Sequence, residues 1–184
     1  MSAWRGLGGA GRGACVAGGL ALLLCTGCWT EAESPDGVAA PAAAAPEFFL
    51  PRLDGQEQVS LASVAGKIVI LDFWATWCPP CASQVPVLNA FYRENRDAGD
   101  VVVYGVSVDQ VGVEAIQDWV DEQEVEYPNL VGGDPLSREL GAVGFPALFV
   151  IGRDGTLQDS HEGIIEREIL DGFLAKQRAR GDAG

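Results

Sequence analysis

One stretch decides the fold of this chain: Val69-Ile70-Leu71-Asp72-Phe73-Trp74-Ala75-Thr76-Trp77-Cys78-Pro79-Pro80-Cys81. An apolar run rich in β-branched residues leads into a Cys-x-x-Cys motif, and helix-compatible sequence follows it. The sequence therefore predicts a buried strand over Ile68–Trp74 that delivers two sulfurs to the first turn of a helix. Because residues three apart lie on one face of a helix, Cys78 and Cys81 can reach each other.

The predicted position of Cys78 is the helix N-terminus, where free N–H groups and the helix dipole favour an anion. This position lowers the pKa of its thiol, and the thiolate is the attacking species in thiol–disulfide exchange. Cys81 lies one turn further along, and we expect it to be shielded and protonated until it resolves a mixed disulfide. The motif therefore predicts a redox-active pair.

The two residues between the cysteines bear on the direction of the chemistry. Neither Pro79 nor Pro80 carries an N–H, so two potential donors to the Cys78 thiolate are missing. Weaker stabilisation of the thiolate makes the reduced form less stable and the couple more reducing. We therefore expect a reductant or an isomerase-like potential rather than a strong oxidant.

Two other interpretations of the cysteine pair are a structural disulfide and half of a zinc site. A zinc site needs about four ligands, whereas no cysteine follows Cys81 and the single histidine, His161, stands alone. A disulfide that closes so short a loop stabilises a fold little. We expect redox activity, no bound metal and no cofactor besides the pair itself, and His161 is interpreted as a surface or strand residue.

The chain has 184 residues and a formal net charge of −14. This length suits one domain with accessory segments. The acidic balance argues against nucleic acid as a partner, because such binding uses a basic surface. The acidic residues are spread along the chain rather than clustered, which is typical of a solvated surface.

Residues 1–28 are interpreted as a signal peptide. Arg5 and Arg12 precede an apolar run over residues 14–26, which is shorter than the roughly 20 residues that span a bilayer. Residues 29–46 are rich in Ala, Pro, Glu and Gly and predict a disordered spacer that holds the domain off the membrane. We therefore expect export to the bacterial cell envelope or periplasm.

The segment Leu24-Cys25-Thr26-Gly27-Cys28 resembles a bacterial lipobox, in which Cys28 is lipidated after cleavage and tethers the protein to the membrane. Cys25 stands where that pattern usually has leucine. A plain signal peptide cut nearby and an uncleaved anchor are the alternatives. The exported domain keeps only Cys78 and Cys81, and such a pair is expected to serve for exchange.

Apolar runs and helical periodicities alternate along the rest of the chain. Strands are predicted over residues 48–53, 59–61, 68–74, 101–108, 127–131, 147–151 and 156–160. Helices are predicted from the cysteines to about residue 95, from about 116 to 123, over 135–140, and in a last helix with Ile165, Ile169, Leu170, Phe173 and Leu174 on one side. This order argues for an α/β sheet covered on both faces, followed by a flexible tail over 179–184.

Residues 47–178 resemble the extracytoplasmic thioredoxin-like oxidoreductases of the TlpA/ResA type. The matching pieces are residues 48–55, 60–61, 66–67, 72–81, 86, 144–151 and 154–155. The resemblance implies a thioredoxin fold, with a central mixed β-sheet flanked by helices on both faces. It also implies an N-terminal β extension and an αβ insertion over about residues 111–130.

The resemblance implies that Pro146 takes the cis-proline position facing the cysteine pair. A proline there has no N–H, which lets the backbone of Phe145 pair with an extended substrate chain. Phe145, Trp77 and Pro79 would then line the substrate groove. The alternatives are a trans proline that opens a strand, and Phe145 as a core residue.

Asp72 interrupts an apolar strand, and a buried carboxylate there is costly unless it has a purpose. Burial raises the pKa of a carboxyl group, which suits Asp72 to accept the Cys81 proton during resolution. Cytosolic thioredoxins, which this strand resembles, carry Asp at the same place. The alternative is an aspartate at a frayed strand end.

The leading hypothesis is an envelope thiol–disulfide oxidoreductase that reduces protein disulfides. We expect a membrane-embedded electron donor and a monomer as the working form. A copper-binding module on the same fold is an alternative, but it resembles Cys-x-x-x-Cys with a histidine. A thiol peroxidase is another, but its Pro-x-x-x-Thr-x-x-Cys pattern is absent, since Thr76 is two residues before Cys78.

Overall fold

The computed structural model describes residues 43–181. The predicted signal peptide, the predicted lipidation site at Cys28 and most of the predicted spacer lie outside the described residues. Within residues 43–181, no helix is both long enough and apolar enough to cross a bilayer.

Seven strands are present in the described part of the chain: β1 (Phe49–Leu50), β2 (Val59–Ser60), β3 (Ile68–Trp74), β4 (Val101–Ser107), β5 (Asn129–Leu130), β6 (Ala147–Ile151) and β7 (Leu157–Glu162). Five of them form one mixed sheet in the order β5-β4-β3-β6-β7, and β1 and β2 form a separate antiparallel pair. The β3, β4 and β5 strands are parallel, β6 runs antiparallel to β3, and β7 runs antiparallel to β6 and so in the direction of β3. The carboxyl end of β3 therefore lies beside the start of β6.

In residues 43–181, four α-helices pack around the sheet: α1 (Pro79–Asn95), α2 (Val113–Glu122), α3 (Asp134–Glu139) and α4 (Arg167–Gly181). Short 3₁₀ turns occur at residues 62–64 and 96–98. The α1 helix begins five residues after β3 and continues through Pro86, whose side chain is exposed. It therefore carries the second cysteine of the motif in its first turn.

The core is divided by the central strand β3, all seven residues of which are buried. Alternate side chains of a strand point to opposite faces of the sheet. Accordingly, Val69, Leu71 and Phe73 pack with the β1–β2 pair, α2 and α3, whereas Ile68 and Ile70 pack with α1 and α4. The predicted fold is confirmed, including the β extension and an insertion made of α2 and β5.

The first strand is shorter than the prediction over residues 48–53. Pro51 has no N–H to donate, and β1 ends just before it. The following residues pair with the far edge of the sheet instead: Leu53 N donates to Asn129 O at 2.8 Å, and Val131 N donates to Pro51 O at 3.0 Å. This segment covers the edge of β5, which would otherwise expose unpaired backbone groups.

The end of the predicted spacer at residue 46 also needs correction. Ala45 N donates to Gly155 O at 2.9 Å, and Leu157 N donates to Ala43 O at 2.9 Å. Ala45 is buried, because its small side chain fits against the turn between β6 and β7. Residues 43–45 therefore belong to the folded domain, which composition alone does not reveal.

The last helix differs from its prediction at two places. Ile169 was expected on the buried side but is 37% exposed, while Gln177 is buried, so that part of the prediction is wrong. The helix also runs to Gly181, three residues into the segment predicted as a flexible tail. Arg178 holds this last turn through two hydrogen bonds to Asp100, at 2.8 and 3.0 Å.

Candidate active site

The two cysteines of the motif lie where the sequence places them, directly after the carboxyl end of β3. Cys78 is the N-cap of α1, with extended backbone, and Cys81 lies in the first turn. Their sulfurs are 2.07 Å apart and form a disulfide, with the Cα atoms separated by 5.4 Å. Both residues are buried, so the disulfide is covered from solvent on most sides.

The first turn of α1 offers few hydrogen-bond donors to the Cys78 sulfur. Pro79 and Pro80 occupy the first two helical positions and have no N–H. The N–H of Cys81, the third position, donates to Cys78 O at 3.0 Å. The helix start therefore contributes its dipole to a Cys78 thiolate, but no free N–H from its first three residues.

Asp72 is buried in the carboxyl-terminal half of β3 and faces α1. Its Oδ1 accepts a hydrogen bond from Gln84 Nε2 at 2.7 Å, and its Oδ2 accepts one from the Tyr127 hydroxyl at 3.4 Å. Burial raises the pKa of Asp72 to about 7, against the opposing effect of the hydrogen bonds from Tyr127 and Gln84. Asp72 can therefore gain and lose a proton near neutral pH.

Gln84 links this carboxylate to the segment between β7 and α4. It is the residue one turn after Cys81, and its side chain is buried. While its Nε2 donates to Asp72, its Oε1 accepts from Ile165 N at 3.0 Å, just before α4 begins. Both ends of the amide are thus used, which fixes its orientation beneath the cysteine pair.

A second buried carboxylate holds the turn that precedes Cys78. The Oδ2 atom of Asp109 accepts a hydrogen bond from Thr76 N at 2.9 Å, and its Oδ1 accepts one from Thr76 Oγ1 at 2.9 Å. Ser107 Oγ also donates to Oδ2, at 2.9 Å. The residues that lead into the redox motif are thereby attached to the carboxyl end of β4.

The loop before β6 faces the same end of the sheet. The peptide bond between Phe145 and Pro146 is cis, as the resemblance implies. Pro146 O accepts from Gly163 N at 2.8 Å, and Val143 N donates to Glu162 Oε1 at 3.0 Å. The end of β7 therefore supports this loop on both sides of Phe145.

The surface around the cysteines is apolar and exposed. Trp77 is 66% exposed, and its ring meets Phe145 edge-to-face with the ring centroids 6.1 Å apart. Pro79 is also exposed, Phe145 is half-buried and Pro146 is buried. The structure thus brings together Trp77 and Phe145 at the rim, and the binding roles of Trp77, Pro79, Phe145 and Pro146 stay predictions.

Two other residues discussed in the sequence analysis, Trp74 and His161, contact neighbouring residues of the fold. Trp74 is buried, stacks on Trp119 with ring centroids 4.0 Å apart, and donates to Asn129 Oδ1 at 3.2 Å. His161 Nε2 lies 3.2 Å from Ile164 O. In residues 43–181, no three His, Cys, Asp or Glu side chains are grouped closely enough to hold a metal ion.

Three residues of this site were not predicted from the sequence: Gln84, Tyr127 and Asp109. A signal for Gln84 existed, because it falls on the buried face of α1 at the spacing of Cys81, Leu88 and Phe91. Tyr127 and Asp109 gave no such signal. Their partners lie 55 and 33 residues away along the chain, and only the fold brings them together.

Known proteins share this arrangement over most of the chain. The thiol–disulfide oxidoreductase ResA of Oceanobacillus iheyensis is 32% identical over 136 residues, which cover 71% of this chain and 69% of that protein. The thiol:disulfide interchange protein DsbE of Pseudomonas fluorescens biotype C is 30% identical over 140 residues, covering 74% and 75%. A crystal structure of a thioredoxin-family thiol:disulfide interchange protein from Chlorobium tepidum matches with a TM-score of 0.62 at 27% identity, over 76% of this chain and 98% of that one.

The match to a family model spans the site as well as the fold. Residues 41–160 match the AhpC/TSA family, and this range includes Asp72, both cysteines and Pro146. Both relatives carry names for thiol–disulfide exchange: ResA is named a thiol–disulfide oxidoreductase and DsbE a thiol:disulfide interchange protein. The chain therefore belongs to the AhpC/TSA thioredoxin-like family and is a thiol–disulfide oxidoreductase of the ResA/DsbE type.

Proposed function

We propose that this oxidoreductase reduces disulfides of exported proteins in the bacterial cell envelope. The observation that carries the direction is the start of α1, where Pro79 and Pro80 leave the Cys78 sulfur without N–H donors from the first two positions. A poorly stabilised thiolate makes the dithiol form less stable, and such a couple passes its electrons to other disulfides. The predicted signal peptide over residues 1–28, in which two arginines precede an apolar run, supports the envelope.

The reaction begins with attack by the Cys78 thiolate on one sulfur of a substrate disulfide. A new bond forms between Cys78 Sγ and that sulfur, and the other substrate sulfur leaves as a thiolate and takes up a proton. Cys78 lies at the N-cap of α1 and beside the apolar rim. This position supports Cys78 as the attacking cysteine, whereas Cys81 lies within the first turn of the helix.

Resolution needs Cys81 in its ionised form. Asp72 accepts the Cys81 proton, directly or through a water molecule, and the Cys81 thiolate attacks Cys78 Sγ. The mixed disulfide breaks, the second substrate sulfur leaves, and the Cys78–Cys81 disulfide forms. The pKa of Asp72, raised by burial to about 7, suits both steps, since the group must accept a proton and later release it.

The exposed apolar side chains support a polypeptide as the substrate. In residues 43–181, seven large apolar side chains are exposed, and the sheet topology places five of them at the active end: Trp77, Val111, Val113, Val143 and Ile164. Val113 is the first residue of α2, and the other four belong to the loops after β3, β4 and β7 and before β6. A surface of this kind fits the apolar residues that flank a cysteine in an unfolded or flexible chain.

Each cycle leaves the enzyme oxidised, so a dithiol donor must return two electrons. We place that donor in the membrane, because an exported enzyme has no direct access to cytosolic reductants. A lipidated Cys28 would keep the domain near such a donor, and we propose a monomer as the working form. Its single cysteine pair is then free to meet donor and substrate in turn.

The reduction potential of the Cys78–Cys81 pair tests the direction. The full chain is equilibrated in dithiothreitol buffers at pH 7, and the reduced fraction is read by alkylation and gel shift. We expect a potential at or below that of thioredoxin, about −270 mV. A value near that of DsbA, about −120 mV, would overturn the reductant proposal.

A substrate assay separates this function from its alternatives. Reduction of insulin disulfides, with dithiothreitol as donor, should be lost in Cys78→Ser. Enzyme-like consumption of peroxide without insulin reduction would instead favour a thiol peroxidase. Stoichiometric copper binding that is lost in His161→Ala would favour the copper-binding module.

The membrane tether has its own test in the leader segment. Metabolic labelling with a radioactive fatty acid should label the chain, and Cys28→Ser should abolish the label. Cys25→Ser, three residues earlier, is the matched control and should keep it. Equal labelling of the Cys28→Ser variant would contradict lipidation at this residue.

A further inference from the structure

The reductase chemistry leaves one buried carboxylate unused. Asp109 is 7% exposed and lies two residues beyond the end of β4. In residues 43–181, no lysine, arginine or histidine nitrogen lies within 4.0 Å of it. A buried acid without a cation is costly unless its hydrogen bonds are complete.

The hydrogen bonds of Asp109 converge on the redox motif. Both carboxylate oxygens accept from Thr76, through its N–H and its hydroxyl, each at 2.9 Å. Ser107 Oγ donates to Oδ2 and accepts from Asp109 N at 3.1 Å. The carboxylate is thus an acceptor in all three bonds, which is the role of its ionised form.

Thr76 is two residues before Cys78, and the chain between them forms a turn. Cys78 N donates to Ala75 O at 3.1 Å, and Val108 N donates to Trp74 O at 3.0 Å. The turn is therefore held at its start by β4 and at Thr76 by Asp109. The same contacts keep a negative charge close to the residues that carry the Cys78 sulfur.

We propose that Asp109 is a positioning residue that fixes the Thr76–Cys78 turn and, through its charge, disfavours the Cys78 thiolate and so makes the couple more reducing. A like charge nearby destabilises an anion, and the effect is large where water is excluded. Asp109 thus acts in the same direction as the two prolines, from the opposite side of the motif. This inference rests on the proposed reductase function for its direction only.

The other titratable groups of the site are Asp72, Cys81 and Glu162. Asp72 bonds to Gln84 and Tyr127, and Glu162 bonds to Val143. None of them hydrogen-bonds Thr76, so Asp109 is the acid whose removal alters the turn before Cys78.

The test compares reduction potentials at pH 9, above the ordinary pKa of a cysteine thiol of about 8.5, so that a change in thiolate stability affects the potential more than at neutral pH. Asp109→Asn keeps the shape and removes the charge. We expect about tenfold stabilisation of the reduced form, which corresponds to a potential about 30 mV less negative than that of the parent. Alkylation of Cys78 at pH 7 should be about threefold faster, because the roughly tenfold gain in thiolate is partly offset by the lower nucleophilicity of a thiolate whose thiol has a lower pKa.

Two variants separate the charge from the contacts. Thr76→Val removes one neutral hydrogen bond but keeps the Asp109 charge, and its potential should stay within about 5 mV of the parent. Asp100→Asn removes a carboxylate at the other end of β4, so it should also leave the potential unchanged. If Asp109→Asn fails to fold, Asp109→Ser fits the same space and should give the same positive shift.

An unchanged potential in a folded Asp109→Asn or Asp109→Ser variant would overturn the inference. Equal shifts in Thr76→Val and Asp109→Asn would also overturn it, because contact rather than charge would then be responsible. The comparison uses differences between variants and parent. A parent potential near −120 mV would therefore refute the reductase proposal and leave the role of Asp109 to be decided by its own measurement.

Discussion

Aspartate side chains have opposite surroundings at the two ends of the central sheet. At the end that carries the cysteines, Asp72 and Asp109 are buried and accept hydrogen bonds from neutral groups. At the other end, Asp100 accepts from Arg178 at 2.8 and 3.0 Å and from Arg153 at 3.1 Å. Both Asp100 and Asp109 flank β4, one before it and one after it.

The difference shows in the proton affinity of the carboxyl groups. The hydrogen bond from Arg178 lowers the pKa of Asp100, whereas burial raises that of Asp72 to about 7. Paired carboxylates stay ionised and contribute to stability, while an unpaired buried carboxylate reduces stability and is free to exchange protons. The ion pairs of Asp100 at the far end of the sheet therefore stabilise the fold. The buried Asp72 near the cysteines destabilises it but can exchange a proton during the reaction.

The largest expected effect is the loss of turnover when the resolving cysteine is replaced. Cys81→Ser should stop turnover with insulin, because Cys78 can attack but nothing can release the mixed disulfide. The covalent complex should accumulate and appear on a non-reducing gel. Cys78→Ser is the matched control and should form no complex; a Cys81→Ser variant that still turns over would contradict the assigned order of attack.

The second prediction concerns the cost of Asp72. A carboxyl group with a raised pKa destabilises the fold as it ionises, so the stability of the parent should fall as pH rises from about 4 to about 7. Asp72→Asn should remove this slope and stabilise the protein above pH 8 by up to about 4 kcal/mol. Urea unfolding at pH 5 and pH 8 measures the difference.

The same variant should slow resolution about 100-fold at pH 7, because a general base contributes a factor of this order. In the parent, the rate of resolution should rise with pH through about 7 as Asp72 ionises. Stopped-flow measurement of mixed-disulfide decay gives this rate. A parallel stability slope in both proteins, or an unchanged rate of decay in Asp72→Asn, would contradict the assignment.

The third prediction concerns the two N–H donors that are missing at the start of α1. Replacing Pro79 and Pro80 together by alanine restores two N–H donors beside Cys78 and should stabilise its thiolate about tenfold. At pH 9 the potential should become about 30 mV less negative. Pro86→Ala, in the same helix but away from the sulfur, is the matched control and should leave the potential unchanged.

The smallest expected effect lies at the far end of the sheet. Arg178→Ala removes the main partner of Asp100 and should lower the free energy of unfolding by about 1 kcal/mol at pH 7. Since the pKa of Asp100 is lowered in the fold, this stabilisation is present above about pH 4 and is lost as the carboxyl is protonated. Thermal unfolding at pH 7 and pH 3 tests this, and the reduction potential should not change.

Most of the fold was predictable because its strongest signals are local. The apolar run of β3 is bounded by Gly66-Lys67 and the cysteine motif, and its predicted limits match the structure. Pairings between distant segments were not predictable. The contacts of Ala43 and Ala45 with the β6–β7 turn leave no trace in an alanine-rich sequence, so the spacer was predicted to be too long.

In the candidate active site, too, the features set by local sequence were predictable and those set by distant contacts were not. The positions of Cys78 and Cys81 follow from spacing alone, and the burial of Asp72 follows from its place in an apolar strand. What surrounds Asp72 depends on tertiary structure, since Tyr127 reaches it from the inserted segment before β5. The polarity that tunes the site is therefore set by residues that carry no motif.

The two prolines between the cysteines have a consequence for how such enzymes can diverge. Pro79 and Pro80 are exposed, so replacing them removes little from the core. A mutation at either position can move the redox potential while the folding free energy stays nearly constant. Lineages that share this scaffold can therefore adjust the redox potential by tens of millivolts through two surface codons, while the stability of the fold is kept.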